Sequence, residues 1–172
     1  EDLQRTDTMM TTVTVDTGAL KVAMLSTLVL LLKMNYSNMM TGKHRISAGG
    51  RPPEDAKLFP KSGVQDFSGD SKVFKTPEKE KVVKAKLTRA LRIVANDLEN
   101  IPIGLITMWG SLFCCYNVNA HMACTAGFTL GRILHTVSYE LELQPHRAWG
   151  WGIGISASCL LAVNGVLGAL LL

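Results

Sequence analysis

Charged side chains set within apolar stretches constrain this chain more than any other feature of it. One cluster reads Arg89-Ala-Leu-Arg92-Ile-Val-Ala-Asn96-Asp97-Leu-Glu99-Asn100, and the other Gly131-Arg132-Ile-Leu-His135-Thr136-Val-Ser-Tyr139. On an α-helix each residue advances ~100°, so Arg89, Arg92, Asn96 and Glu99 fall within an arc of ~80°. By the same arithmetic Arg132, His135 and Tyr139 fall within ~60°. A charge at membrane depth costs at least ~2.5 kcal/mol. Such residues therefore face a protein interior or a polar cavity, and they mark a functional site.

The membrane reading rests on spans. Leu160 to Leu172 is almost wholly apolar, and extending back to Trp149 gives 24 residues without a charge. That length crosses a hydrocarbon core of ~30 Å. Val22 to Leu32 is apolar and bracketed by Lys21 and Lys33, whose long stems can reach toward an interface. Ile93 to Cys115 and Val118 to Tyr139 are mostly apolar but carry the embedded polar residues. The pattern predicts an all-α, four-helix transmembrane bundle forming a single domain over 1–172. The predicted spans cover roughly 17–41, 82–115, 118–141 and 146–172, with a long loop over 42–78. A soluble helical bundle is the alternative.

Of the eighteen basic residues, thirteen lie between Lys43 and Arg92, a concentration that resembles a cytoplasmic loop. The run Lys72-Val-Phe-Lys75-Thr-Pro-Glu-Lys79-Glu-Lys81 mixes signs and lacks a series of stacking aromatics, which argues against nucleic-acid binding. Cys114, Cys115, Cys124 and Cys159 form no metal-ligand spacing and read as buried, reduced thiols; no metal is expected. Glu1 to Asp16 is polar and Thr-rich and reads as a frayed tail. The chain does not begin with methionine, so an upstream segment is expected to have been removed or left out.

Breaker residues punctuate the long loop, and within it Pro53-Glu54-Asp55-Ala56 is set to start a short helix. Pro102 falls inside the second helix, and Gly150, Gly152, Gly154, Ser156 and Ser158 predict close helix contact in the fourth. With four antiparallel spans, the start of the second helix, the end of the third and the start of the fourth share one side. The Arg89–Glu99 cluster, the Arg132–His135–Tyr139 cluster and Arg147 then converge on one polar pocket, on the side of the basic loop.

The same residues carry a family resemblance. Arg-x-x-Arg-x-x-x-Asn-Asp-Leu-Glu-Asn, then Arg-x-x-His-Thr-x-x-Tyr, then Pro-x-Arg resembles the MAPEG superfamily. The branch it resembles most contains microsomal glutathione S-transferase and microsomal prostaglandin E synthase, whose loop signature Pro53-Glu54-Asp55-Ala56 matches. The resemblance runs from about Ala19 to the C-terminus and implies a homotrimer with glutathione sites between subunits. It implies that Arg92, Asn96, Glu99, His135, Tyr139 and Arg147 hold glutathione, with Arg147 beside the sulfur. Arg45 would be supplied by the neighbouring subunit, Asp55 would orient Arg147, and Arg89, Asp97 and Arg132 would support the site. Ala95 and Ala148 stand where the prostaglandin synthase branch has arginine and serine. Those departures weaken the prostaglandin reading and leave a general transferase intact.

The residue types suit that ligand. Arginines bind carboxylates through charge-assisted, often bidentate hydrogen bonds, and Glu99 could pair with the ammonium. Lowering the thiol pKa from ~8.5 to ~6.5 raises its ionised fraction at pH 7 from roughly 3% to roughly 75%. The expected function is a membrane glutathione transferase that attacks apolar electrophiles drawn from the lipid bilayer, with glutathione peroxidase activity toward lipid hydroperoxides. The endoplasmic reticulum is the expected membrane, with mitochondria or another organelle as alternatives. A non-catalytic scaffold, or an accessory subunit of a larger membrane assembly, is the second reading. Each site residue also has a plainer role. Arg89 and Lys86 could snorkel, His135 could be a satisfied core histidine, and Asp97, lying off the arginine face, could be a structural partner of Arg132. Trp109, Trp149 and Trp151 read as interfacial, and Met34, Met39 and Met40 as lipid or helix contacts.

Overall fold

Three of the four long helices begin where a side chain caps a first free amide. In the computed structural model, which describes residues 14–67, 74 and 76–171, α1 spans Thr17–Ala48, α2 Pro77–Leu112, α3 Val118–Glu140 and α4 His146–Leu170. The Asp16 carboxylate accepts from the amide of Ala19 at 2.8 Å, and the Asn117 side chain accepts from Ala120 at 2.9 Å. Thr76 caps α2, and Pro77 comes next in the first turn, where its missing N–H costs nothing. Two 3₁₀ turns, Pro53–Lys57 and Pro60–Ser62, lie between α1 and α2. The first begins at the proline predicted for it.

The boundary that differs most is the end of α1, expected near residue 41 and found at Ala48. Gly42 stays within the helix. One interior glycine costs only about 1 kcal/mol, too little to end a helix continued by good formers. The helix stops where Gly49 takes a left-handed φ of 75°, and the Gly50 amide then reaches back to the Arg45 carbonyl at 2.9 Å. α2, whose basic first turns are read from the sequence as starting near Glu78 ahead of the membrane span, starts at Pro77 and ends at Leu112, three residues short of the expected 115. Beyond α1 the chain forms a closed loop. The Asp66 amide donates to the Gly49 carbonyl at 3.0 Å and the Phe67 amide to Arg51 at 3.1 Å. Buried inside it, Gln65 donates to the Ile46 carbonyl and accepts from the Arg51 amide. The expected tail up to residue 13, and Lys72 and Lys75 of the basic run, lie outside the described residues.

Glycines let the backbones meet. A Cβ on Gly150 of α4 would lie 2.5 Å from the His135 amide and 2.9 Å from the Gly131 carbonyl of α3. Gly165 and Gly168 of α4 abut Ser111 and the Cys114 carbonyl at the far end of α2, and Gly104 of α2 receives the Phe128 ring. Gly152, expected to share this role, faces open space. The apolar core runs through Ala23, Leu30, Ile101, Met108, Phe128 and Leu161, with Met34 packed beside it. Trp109 belongs to the interior too, donating to the Thr27 hydroxyl at 3.1 Å; Trp149 and Trp151 are exposed. The four cysteines are free; all are expected to be buried, but Cys159 is exposed and Cys114, Cys115 and Cys124 are only partly buried.

α1 and α4 are long and apolar enough to cross a membrane, with mean hydropathies of 1.6 and 1.9. Only 28% and 39% of those stretches are buried within the protein. A soluble core helix would be mostly covered, whereas these turn apolar surface outward, as membrane helices do. α2 and α3 do not pass the same measure, because the polar clusters lie on them.

Candidate functional site

A buried ionic cluster sits beneath the polar end of the bundle. Asp97 on α2 and Arg132 on α3 are each 1% exposed. The Arg132 guanidinium donates from Nη2 to Asp97 Oδ1 and to Asn96 Oδ1, both at 2.7 Å. The partnership expected from the angular position of Asp97 is therefore present. A third member was not foreseen: Lys33 on α1 donates from Nζ to the same Asp97 oxygen. Lys33 was expected to reach toward an interface. Its side chain is instead almost fully covered, because an ammonium within the membrane-crossing length of α1 finds a carboxylate sooner than water. Its being the one charged residue between Lys21 and Lys43 is the signal the sequence offers. Two cations share one carboxylate, which leaves this part of the bundle positive.

Above the cluster the three predicted segments do meet. The Arg89 guanidinium donates to the Tyr139 carbonyl at 3.0 Å and pairs with Glu142 at 2.9 Å, tying the start of α2 to the end of α3. Arg89 is thus engaged within the protein and does not snorkel. The Arg147 guanidinium lies over the Tyr139 ring, 4.7 Å from its centre, a cation–π contact that holds it at the mouth of α4. The His135 ring packs behind, 5.6 Å from that of Tyr139. A pocket of about 350 Å³ opens here, lined by Ala85, Thr88, Arg89, Arg92, Tyr139 and Arg147.

Arg89, Arg92, Tyr139 and Arg147 are therefore together, and the other predicted residues are not. Asn96 is occupied by Arg132, while Glu99 is exposed further along the same face of α2. His135 is buried, and its Nδ1 makes no hydrogen bond among the described residues. Arg45 lines a separate cleft of about 370 Å³ with Asn38, Arg51, Leu91 and Val94. Asp55 is not the partner of Arg147 in this chain. Its carboxylate accepts from Arg51 Nε at 2.6 Å, since Arg51 lies four residues away on the same closed loop and Arg147 is drawn to Tyr139. The signal for this pair is the four-residue spacing of Arg51 and Asp55 about the two prolines.

Chemically, the pocket offers two guanidiniums, those of Arg92 and Arg147, without a carboxylate partner among the described residues. It therefore suits an anionic ligand of modest size, within the ~300–1,000 Å³ typical of small-molecule sites. Among the described residues no group of His, Cys, Asp and Glu side chains could hold a metal ion. A search of curated proteins finds no match for this sequence. A family model does match, over residues 23–167, and it takes in all four helices and both polar clusters. The chain belongs to the MAPEG family.

Proposed function

We propose that this protein is a membrane-bound glutathione transferase that works as a homotrimer. The observation that carries the reading is the pocket in which Arg92 and Arg147, both free of carboxylate partners among the described residues, flank Tyr139 at the end of the bundle. Glutathione brings two carboxylates and an ammonium. Arg92 suits a carboxylate, and Glu99, one to two turns further along the same face, suits the ammonium. Arg147 would stand beside the sulfur, favouring the thiolate over the thiol. The thiolate then attacks the electrophilic carbon of an apolar substrate arriving from the lipid; the C–S bond forms as the bond to the leaving group breaks and that group departs with its electron pair, with proximity supplying much of the rate.

The trimer is supported by the second cleft. Leu91 and Val94, which line the Arg45 cleft, lie ~100–160° around α2 from Arg92. A face bearing Arg45 and a different face bearing the pocket are what a cyclic assembly brings together, one from each neighbour. Asn96 and His135 would then act from behind the pocket wall, and Asp55 would bear on the site through Arg51. Ala95 and Ala148 give the site few groups to steer an oxygenated endoperoxide, so conjugation or reduction of a lipid hydroperoxide is favoured over prostaglandin isomerisation. The endoplasmic reticulum is the membrane we assign.

Calorimetric titration of the detergent-solubilised protein with glutathione tests the reading directly, with thiolate absorbance followed in the ultraviolet. Saturable binding with a lowered thiol pKa is expected. Absence of binding would restore the non-catalytic scaffold or accessory subunit.

A further inference from the structure

A second pocket, of about 380 Å³, lies on another side of Arg89, between the ends of α1 and α3 and the start of α2. Its cationic groups are Lys43 from α1 and Lys86 and Arg89 from α2, and His44 of α1 adds a neutral imidazole whose protonation burial and the two lysines disfavour. Its carboxylates, Glu140 and Glu142, already have partners. Glu142 pairs with Arg89 at 2.9 Å, and Glu140 accepts from the Tyr36 hydroxyl at 3.1 Å. The side chains of Lys43, His44 and Lys86 make no hydrogen bond or ion pair among the described residues, and His44 lies within electrostatic reach of both lysines. With Arg89 balanced by Glu142, the lysines Lys43 and Lys86 outnumber the one remaining carboxylate, Glu140, so the net charge of the pocket is positive.

Depth decides what kind of anion fits. From Lys21 to Lys43 the helix rises ~33 Å, and Lys33, the one charge between them, is turned inward to Asp97. Lys21 and Lys43 thus bracket a hydrocarbon core of ~30 Å, and Lys43 stands at headgroup level. The pocket floor is apolar, made by Met40, Ala90 and Ile93, with Ala90 and Ile93 buried. An anionic head above and an apolar floor below match one ligand class.

We propose that this pocket binds the phosphate headgroup of an anionic glycerophospholipid. Lys43, Lys86 and His44 receive the phosphate oxygens, and the acyl chains run down past Met40 into the bilayer. Basic pockets between membrane helices take anionic headgroups in this way, with each lysine near the surface worth roughly fivefold in affinity. The site is independent of the proposed glutathione chemistry, because neither Lys43 nor Lys86 lines the transferase pocket.

The test uses the full chain in detergent, incubated with equal amounts of dioleoyl phosphatidic acid and dioleoyl phosphatidylcholine, with retained lipid counted by native mass spectrometry. Phosphatidic acid should be retained at least about tenfold over phosphatidylcholine, and Lys43→Gln with Lys86→Gln should lower its retention by roughly tenfold or more. Lys43→Arg with Lys86→Arg should retain it, which excludes misfolding as the cause. Lys79→Gln with Lys81→Gln, the same charge change elsewhere in α2, should leave retention unaltered. Glycerol 3-phosphate should fail to displace the lipid; full displacement at equal concentration would assign the pocket to a soluble phosphate ester and overturn the lipid reading. Equal retention of the two lipids, or of phosphatidic acid by the glutamine variant, would overturn the site altogether.

Discussion

Replacing Asp97 by asparagine keeps the shape of the buried cluster and removes its single negative charge. Asp97 Oδ1 serves both Lys33 and Arg132, and all three side chains are almost fully covered. The variant would leave two buried cations facing each other without a counter-charge. Breaking a buried ion pair from one side costs about 3–5 kcal/mol, and the second orphaned cation places this case at the upper end. For a chain of this size each kcal/mol moves the midpoint of thermal unfolding by roughly 2–4 °C, so a cost of about 5 kcal/mol for Asp97→Asn should lower it by about 10–20 °C. Lys33→Met makes the informative contrast. It removes the surplus cation and leaves Asp97 balanced against Arg132, whose second acceptor, Asn96, is untouched. Its cost should be below about 2 kcal/mol, the range of a lost buried hydrogen bond with partial apolar compensation. Both variants are read by intrinsic tryptophan fluorescence during heating in one detergent. If Lys33→Met is as damaging as Asp97→Asn, or if Asp97→Asn melts within about 2 °C of the parent, two cations do not share that carboxylate.

Arg147→Ala should cut turnover by roughly twentyfold, the fall in thiolate fraction when a thiol pKa of ~6.5 returns to ~8.5, while glutathione binding weakens only modestly. Glu99→Gln should do the reverse, weakening binding in calorimetry and sparing the thiol titration. The detergent-solubilised protein should sediment as a trimer, and a monomer that still binds glutathione tightly would refute the shared site. Gly150→Leu should destabilise by at least about 2 kcal/mol or abolish folded expression, since any side chain there meets the α3 backbone, whereas Gly152→Ala should be neutral or slightly stabilising in the same melting assay.

Much of this architecture is legible in the sequence. Helical periodicity places Arg89 and Arg92 near one another. Antiparallel order alone then brings the start of α2, the end of α3 and the start of α4 to the same end, where Tyr139 and Arg147 are in contact. The off-face angle of Asp97 points to Arg132. Three features are not legible, two of them because a tertiary contact outweighs a local preference. Lys33 looks like an interfacial lysine until Asp97 appears opposite it. Gly42 looks like a helix end until the Gln65 side chain is seen holding the loop against the extended α1. Asp55 carries a family motif that points to Arg147, and Arg51, only four residues away, takes its carboxylate instead.

The direct backbone contact between Gly131 and Gly150 has a mechanical meaning. With no side chains between them to slide or re-pack, α3 and α4 behave as one body, and the distance from Tyr139 to Arg147 changes little as the protein flexes. α2 is clamped to the same body at its far end, through Gly165 and Gly168, while its first turns carry exposed lysines and no such clamp. Arg132 also fastens α2 to α3 at Asn96 and Asp97, so motion that widens the Arg92 pocket belongs to the turns of α2 before them. The Arg89 contacts with the Tyr139 carbonyl and Glu142 are the latch that such motion has to release.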